Sequence, residues 1–226
     1  MPGPFSTVLF DLDDTLLDSL GARVKALEAV FSHTGIRHLR AEQFLHDLQG
    51  SPFEYALDKL EKEQNIQIKL FQTYRCYYWT KEPGTLKLYP GVRTMLDELS
   101  SKGVRLGIVT QKPRTLEIEG YSAGVVQELN ELGVADLFSV IVGFDDVIEH
   151  KPHPECINLA LGTLGSEPEE TLVVGDSAAD MEAARAAGCF SCYSIWGIPE
   201  NEHKLDNIRA DLVAETPEIL LELNYL

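Results

Sequence analysis

Short apolar runs rich in β-branched residues recur along this chain, each followed by turn residues and then by apolar positions at helical spacing. They occupy residues 7–10, 104–109, 140–142, 171–174 and 190–195, with a weaker sixth at 210–213. Such runs are too short for amphipathic helices, and their alternation with helical patterns predicts repeated βα units around a parallel sheet. Start and stop residues support helices between them. Pro90 opens a segment that closes at Gly103, Pro154 one that closes at Gly165, and Ser177 precedes one that closes at Gly188. A last helix is expected from Pro217, with Thr216 as its N-cap.

Between residues 16 and 88 the strand signal disappears. Leu17, Leu20, Val24, Leu27 and Phe31 share one helical face, residues 53–60 and 70–79 read as further helices, and Gly50-Ser51-Pro52 breaks the chain between helices. The expected organisation is therefore an α/β core from residues 1–15 and 89–226, interrupted by an all-helical subdomain over residues 16–88.

Composition narrows what such a protein can do. The 226 residues suit one core domain with an insertion, and 44% hydrophobic with 24% charged residues is ordinary for a folded chain. Thirty-six acidic against 19 basic residues give a formal charge of -17, and no Lys/Arg cluster offers a footprint for nucleic acid. An anionic substrate would have to be drawn in locally, by a bound cation and a few basic side chains. No apolar run reaches the roughly 18 to 20 residues of a membrane span, and Met1-Pro2-Gly3-Pro4 lacks the features of a signal peptide. The expectation is a cytoplasmic protein with no membrane partner. Cys189 and Cys192 form a Cys-x-x-Cys pair, but on a strand positions three apart face opposite sides, so buried reduced thiols are expected instead of a metal site.

In open parallel sheets ligands bind beyond the carboxyl ends of the strands. The residues there are chemically selective: Asp11-Leu12-Asp13-Asp14-Thr15 after the first strand, Thr110 after the second, Lys151-Pro152 beyond the third, and Gly175-Asp176-Ser177-Ala178-Ala179-Asp180 at the fourth. Carboxylates gathered at one edge raise one another's pKa unless a cation intervenes. A hard ion such as Mg2+, which takes oxygen ligands and shares its coordination sphere with phosphate, suits that edge. Lys151 and Thr110 could then hold phosphoryl oxygens.

These four segments, in this order and across almost the whole chain, resemble the motifs of the haloacid dehalogenase superfamily, in its phosphatase branch with a helical C1-type cap, phosphoglycolate phosphatase-like. The resemblance implies a Rossmann-like parallel sheet with helices on both faces. It also implies a magnesium-dependent phosphatase for a small-molecule phosphomonoester, working through an aspartyl-phosphate intermediate. Asp11 would be the nucleophile and Asp13 the general acid and base. Magnesium would be held by Asp11, the backbone carbonyl of Asp13, and Asp176, with Asp180 supporting the metal shell. Lys151 would bridge Asp11 and the phosphate. Many relatives carry glycine where this chain has Asp14, and residues 116–125 are longer than usual after the second strand.

Structural explanations stand beside some of these roles. Ser177 and Asp180 fit a capping box, Thr110 could simply end its strand, and Asp18 reads as a helix-start residue. In the cap, Arg23, Ser51, Arg75 and Lys81 are candidates to meet substrate, while Tyr74, Tyr77, Tyr78 and Trp79 could line it or form core. A sugar phosphomutase of the same superfamily is an alternative, although Arg23 and Phe53 stand where the mutases resembled present a histidine and an arginine. A catalytically inactive phosphate-binding relative is another. Whether the chain is a monomer or a homodimer is open.

Overall fold

The computed structural model describes residues 4–48, 53–80, 85–198, 208–223 and 225. The described residues form two compact units. The first takes the chain up to Asp18, then Leu86–Leu116 and Ser122–Leu226; the second takes Ser19–Thr85 with Glu117–Tyr121.

In the first unit β1 (Thr7–Phe10) is followed by β2 (Leu17–Asp18), which pairs antiparallel with β3 (Lys87–Leu88) where the chain leaves and re-enters this unit. Asp18 thus lies in a two-residue ribbon opposite Lys87, and the N-terminal flank of the first helix is Ser19. The second unit holds α1 (Leu20–Thr34), α2 (Ala41–His46), α3 (Phe53–Glu63) and α4 (Leu70–Trp79). Phe53 packs edge-on against Tyr74 at 4.6 Å between ring centres, and Tyr74 stacks on Tyr78. Tyr74 and Tyr78 are buried, so this aromatic group is the core of the helical unit.

The first unit resumes with α5 (Val92–Ser101), β4 (Arg105–Val109), a hairpin of β5 (Leu116–Ile118) and β6 (Tyr121–Ala123) whose turn belongs to the second unit, α6 (Val125–Glu131) and β7 (Val140–Val142). Then come α7 (Glu155–Leu164), β8 (Thr171–Gly175), α8 (Ala178–Ala187), β9 (Phe190–Ser194) and β10 (Leu212–Ala214). Six strands make one parallel sheet in the order β10-β9-β8-β1-β4-β7. Its strands are apolar on both faces because both are covered. Leu9, Val109, Val140, Val142 and Val173 pack with Ile157, Ala160 and Leu161 of α7 and Ala183 and Ala184 of α8. Val8, Phe10, Leu106, Ile108, Leu172 and Val174, one residue out of step, are equally buried on the opposite face.

Several boundaries differ from the sequence expectation. The segment from Pro217 is a 3₁₀ helix (Pro217–Glu222), and the Thr216 side chain makes no capping hydrogen bond. By contrast, α7 and α8 end on Gly165 and Gly188, both at positive φ, and Ser177 caps α8 reciprocally with Asp180. Residues 116–123, without an assigned structure in the sequence, form the hairpin; its turn residues Glu119 and Gly120 both have positive φ, as a tight two-residue turn requires. Cys189 and Cys192 are buried, unpaired thiols, both pushed up to about 12 by burial. No helix among the described residues is long and apolar enough to cross a membrane.

Candidate active site

The chain builds β1, β4 and β7 in one direction across the sheet and β8, β9 and β10 in the other, so the strand order reverses between β1 and β8. At such a switch point the carboxyl ends of the two strands open a crevice. Asp11 follows β1 directly and Asp176 follows β8, which puts both carboxylates on that crevice. The Asp11 backbone N–H still donates to the Val174 carbonyl at 2.8 Å, so its side chain leaves from the last rung of the ladder.

A tight turn follows. Leu16 and Leu17 both donate to the Leu12 carbonyl at 2.9 Å, and Asp14 sits at φ 61. Aspartate tolerates the left-handed region better than most residues, so the turn accepts Asp14 there. The turn is clamped from outside: Trp196 Nε1 donates to the Thr15 carbonyl at 2.7 Å, and Gly197 lies so close to the Asp14 carbonyl that a Cβ there would collide with it. Thr15, fully buried, donates from Oγ1 to Asp176 Oδ1 at 3.2 Å.

Lys151 joins the two sides of the crevice. Its Nζ donates to Asp11 Oδ1 and to Asp180 Oδ1, each at 2.6 Å. Burial alone would lower the Lys151 pKa, but the charges and hydrogen bonds of Asp11 and Asp180 outweigh it and hold the ammonium above the ordinary lysine range. Asp11 is pushed the other way, up to about 7, first by burial and then by the charges of Asp180 and Asp13, despite the opposing pull of Lys151. Asp176 is raised well above its usual range by burial, then by Asp11, Asp180 and Asp14.

Asp11, Asp176 and Asp180 each bring one carboxylate oxygen within 4.8 Å of the others. Three converging oxygen donors, two of them with carboxyls raised by burial and by neighbouring charge, are the donor set that a hard divalent ion suits, so these residues fit magnesium. Asp180 is the least exposed of them, and its oxygens already accept from Lys151 and from the Ser177 N–H and hydroxyl. Gly175 makes room for it, since a Cβ there would strike the Asp180 carboxylate. One side chain thus caps α8 and stands in a carboxylate group that could hold a metal.

Thr110 ends its strand with its N–H on the Val142 carbonyl at 3.0 Å, and its Oγ1 accepts from the Lys112 N–H at 3.3 Å. Gln111 Nε2 reaches the Lys151 carbonyl at 3.2 Å, tying this loop to the lysine. Lys112, which the sequence reading did not single out, places Nζ 2.8 Å from Asp13 Oδ1 and 2.9 Å from Glu128 Oε2. Its sequence signal was only its place two residues past Thr110 at the carboxyl edge. Glu128 had no local signal.

Among the cap candidates, Arg23 lies on α1 and Arg75 on α4, with the Arg75 guanidinium 5.9 Å from the Phe71 ring centre. Tyr77 is partly exposed and hydrogen-bonded to His33 Nδ1 at 3.2 Å. Ser51 and Lys81 lie outside the described residues.

Comparison with known proteins agrees with this architecture. The phosphoglycolate phosphatase of Yersinia pseudotuberculosis is 38% identical over 191 residues, covering 80% of this chain and 77% of its own. Pyrophosphatase PpaX of Bacillus pumilus is 32% identical over 220 residues, covering 96% and 95%. The solved structure of a haloacid dehalogenase-like family hydrolase from Streptococcus pneumoniae superposes with a TM-score of 0.77 at 28% identity, over 96% of this chain and 97% of that one. A family model for haloacid dehalogenase-like hydrolases matches residues 8–193, from β1 into β9 and including the crevice carboxylates and Lys151, and the chain belongs to that family of enzymes.

Proposed function

We propose that this enzyme is a magnesium-dependent phosphatase that hydrolyses a small phosphomonoester through a phosphorylated Asp11. The observation that carries the reading is Lys151 bridging Asp11 and Asp180 at 2.6 Å beside Asp176, which would supply both a half-buried nucleophile and a cation at one strand edge. Phosphatase and pyrophosphatase relatives support the phosphorus chemistry.

Asp11 and Asp176, with the Asp13 carbonyl, would hold magnesium, and Asp180 would support them. When bound, the ion supplies a Lewis acid that keeps Asp11 ionised and withdraws charge from the phosphoryl oxygens. Lys151 uses two of its three hydrogens on carboxylates, leaving the third for a phosphoryl oxygen. The Thr110 hydroxyl, which accepts from Lys112, can direct its own proton to another. An Asp11 oxygen attacks phosphorus and the ester P–O bond breaks, while Asp13 gives its proton to the departing alkoxide. Asp13 then takes a proton from water as that water attacks the aspartyl phosphate, which releases phosphate and restores both residues. The helical unit inserted after Asp13 would select the substrate, with Arg23, Arg75 and Ser51 as candidate contacts.

The test is phosphate release from a panel including phosphoglycolate, sugar phosphates, nucleotides and pyrophosphate, with and without magnesium. Magnesium-dependent hydrolysis of at least one phosphomonoester is expected, together with an acid-stable phosphoenzyme that is lost in Asp11→Asn. Undiminished turnover in Asp11→Asn would overturn the mechanism.

A further inference from the structure

The second lysine of this edge has a different set of partners from the first. Lys112 lies between Asp13 Oδ1 at 2.8 Å and Glu128 Oε2 at 2.9 Å, and its side chain is 12% exposed against 2% for Glu128. Glu128 is the more deeply buried partner, and Lys112 sets a cation against its carboxylate. The converse matters more for the site. A lysine ammonium on a flexible stem could swing between partners, whereas one held by a buried glutamate is fixed in place.

The backbone fixes both ends of this pair. The Lys112 N–H is bound to Thr110 Oγ1. The first residues of α6 are stitched to the segment just after Lys112, Val125 N–H to the Pro113 carbonyl at 3.1 Å and Val126 N–H to the Arg114 carbonyl at 3.2 Å. Gly124, at φ 109, allows this approach, since a Cβ would collide with the backbone of Arg114 and Thr115. Glu128 is one turn further along α6, so the β5–β6 hairpin returns the chain to Lys112 with a carboxylate beneath it.

We propose that Lys112 and Glu128 are a positioning pair for Asp13, in which Glu128 anchors the Lys112 ammonium and Lys112 holds the Asp13 carboxylate by Oδ1 in the orientation needed to meet the leaving oxygen. The proposal rests on Asp13 being the general acid. Lys112 acts through Asp13, and its loss affects the step in which the leaving group is protonated more than it affects substrate binding.

The test compares kcat/KM for p-nitrophenyl phosphate, whose leaving group needs little protonation, with that for the alkyl ester glycerol 2-phosphate, at saturating magnesium. Lys112→Met leaves the Glu128 charge without its partner, so the doubly substituted Lys112→Met, Glu128→Leu protein, which removes both charges, is measured beside it, and circular dichroism melts establish that each is folded. Both are expected to lose about 10- to 100-fold in kcat/KM on the alkyl ester, a misplacement effect, with a much smaller loss on the aryl ester and little change in KM. Lys112→Arg should restore part of the alkyl activity, and Lys112→Met should add nothing in an Asp13→Asn background. Equal losses on both esters, a loss carried by KM, or no loss at all would overturn the pair's role while a leaving-group-selective Asp13→Asn left the general acid standing. An Asp13→Asn protein whose loss is blind to the leaving group overturns both.

Discussion

Lys151 Nζ sits 2.6 Å from Asp11 Oδ1 and the same distance from Asp180 Oδ1, so one ammonium compensates a carboxylate at the end of β1 and another in the first turn of α8. Its side chain is 4% exposed, which makes the contact structural as well as chemical. Lys151→Met should abolish phosphatase activity and lower stability by on the order of 3 kcal/mol, because breaking a buried ion pair from one side strands its partners. Proton uptake by Asp11 limits the loss. Urea unfolding of the metal-free proteins measures it, and a variant as stable as the parent would show that the pair carries no net stabilisation.

If magnesium binds as proposed, it competes with protons at Asp11. Its carboxyl is raised to about 7 in the folded chain, so between its ordinary range and about pH 7 the metal-free fold holds a proton that the unfolded chain releases. Bound protons are then more numerous in the native state, and stability contributed by this group is present at low pH and declines as pH rises through that window. Under the proposed metal binding, magnesium would reverse the trend by taking the place of the proton. The increase in Tm caused by magnesium should therefore grow as pH rises across the window, and Asp11→Asn should flatten it. A magnesium increment independent of pH would contradict the raised carboxyl.

Thr15 supports Asp176 from a fully buried hydroxyl that also lies 3.4 Å from Ser194 Oγ. Thr15→Val keeps the shape and removes the donor. If Asp176 holds magnesium as proposed, loss of such a bond should weaken metal affinity by about 10-fold or more, read as a rise in the magnesium concentration needed for half-maximal activity. An unchanged magnesium requirement would leave Thr15 a packing residue only.

Gly197 fits against the Asp14 carbonyl and the Tyr89 ring with no space for a side chain. Gly197→Ala should shift the turn that carries Asp13 and destabilise the protein by about 1–3 kcal/mol, the usual effect of overpacking. Thermal melts and kcat report the two effects, and a neutral substitution would show that the turn yields freely.

Much of the site was legible because parallel sheets place their chemistry at strand ends. A strand is recognisable from four or five apolar residues, and the residue after it is then known to lie on the carboxyl edge; Asp11, Thr110 and Asp176 follow from that alone. The helix stops at Gly165 and Gly188 were equally local, since left-handed ends favour glycine. The β5–β6 hairpin was hidden because its strands have three residues each and its turn uses Glu119 where asparagine or aspartate would have announced it.

What the chain determined by itself is the succession of strands and helices and the acidic and basic groups that each strand end carries, because these depend on spacing and on neighbours within a few residues. Tertiary structure decided which charges face one another. Lys151 meets Asp180 from 29 residues away, and Lys112 meets Glu128 across a hairpin that returns the chain by 16. No periodicity records such pairs; burial selects them, since a charge removed from water persists only where the fold brings it a partner.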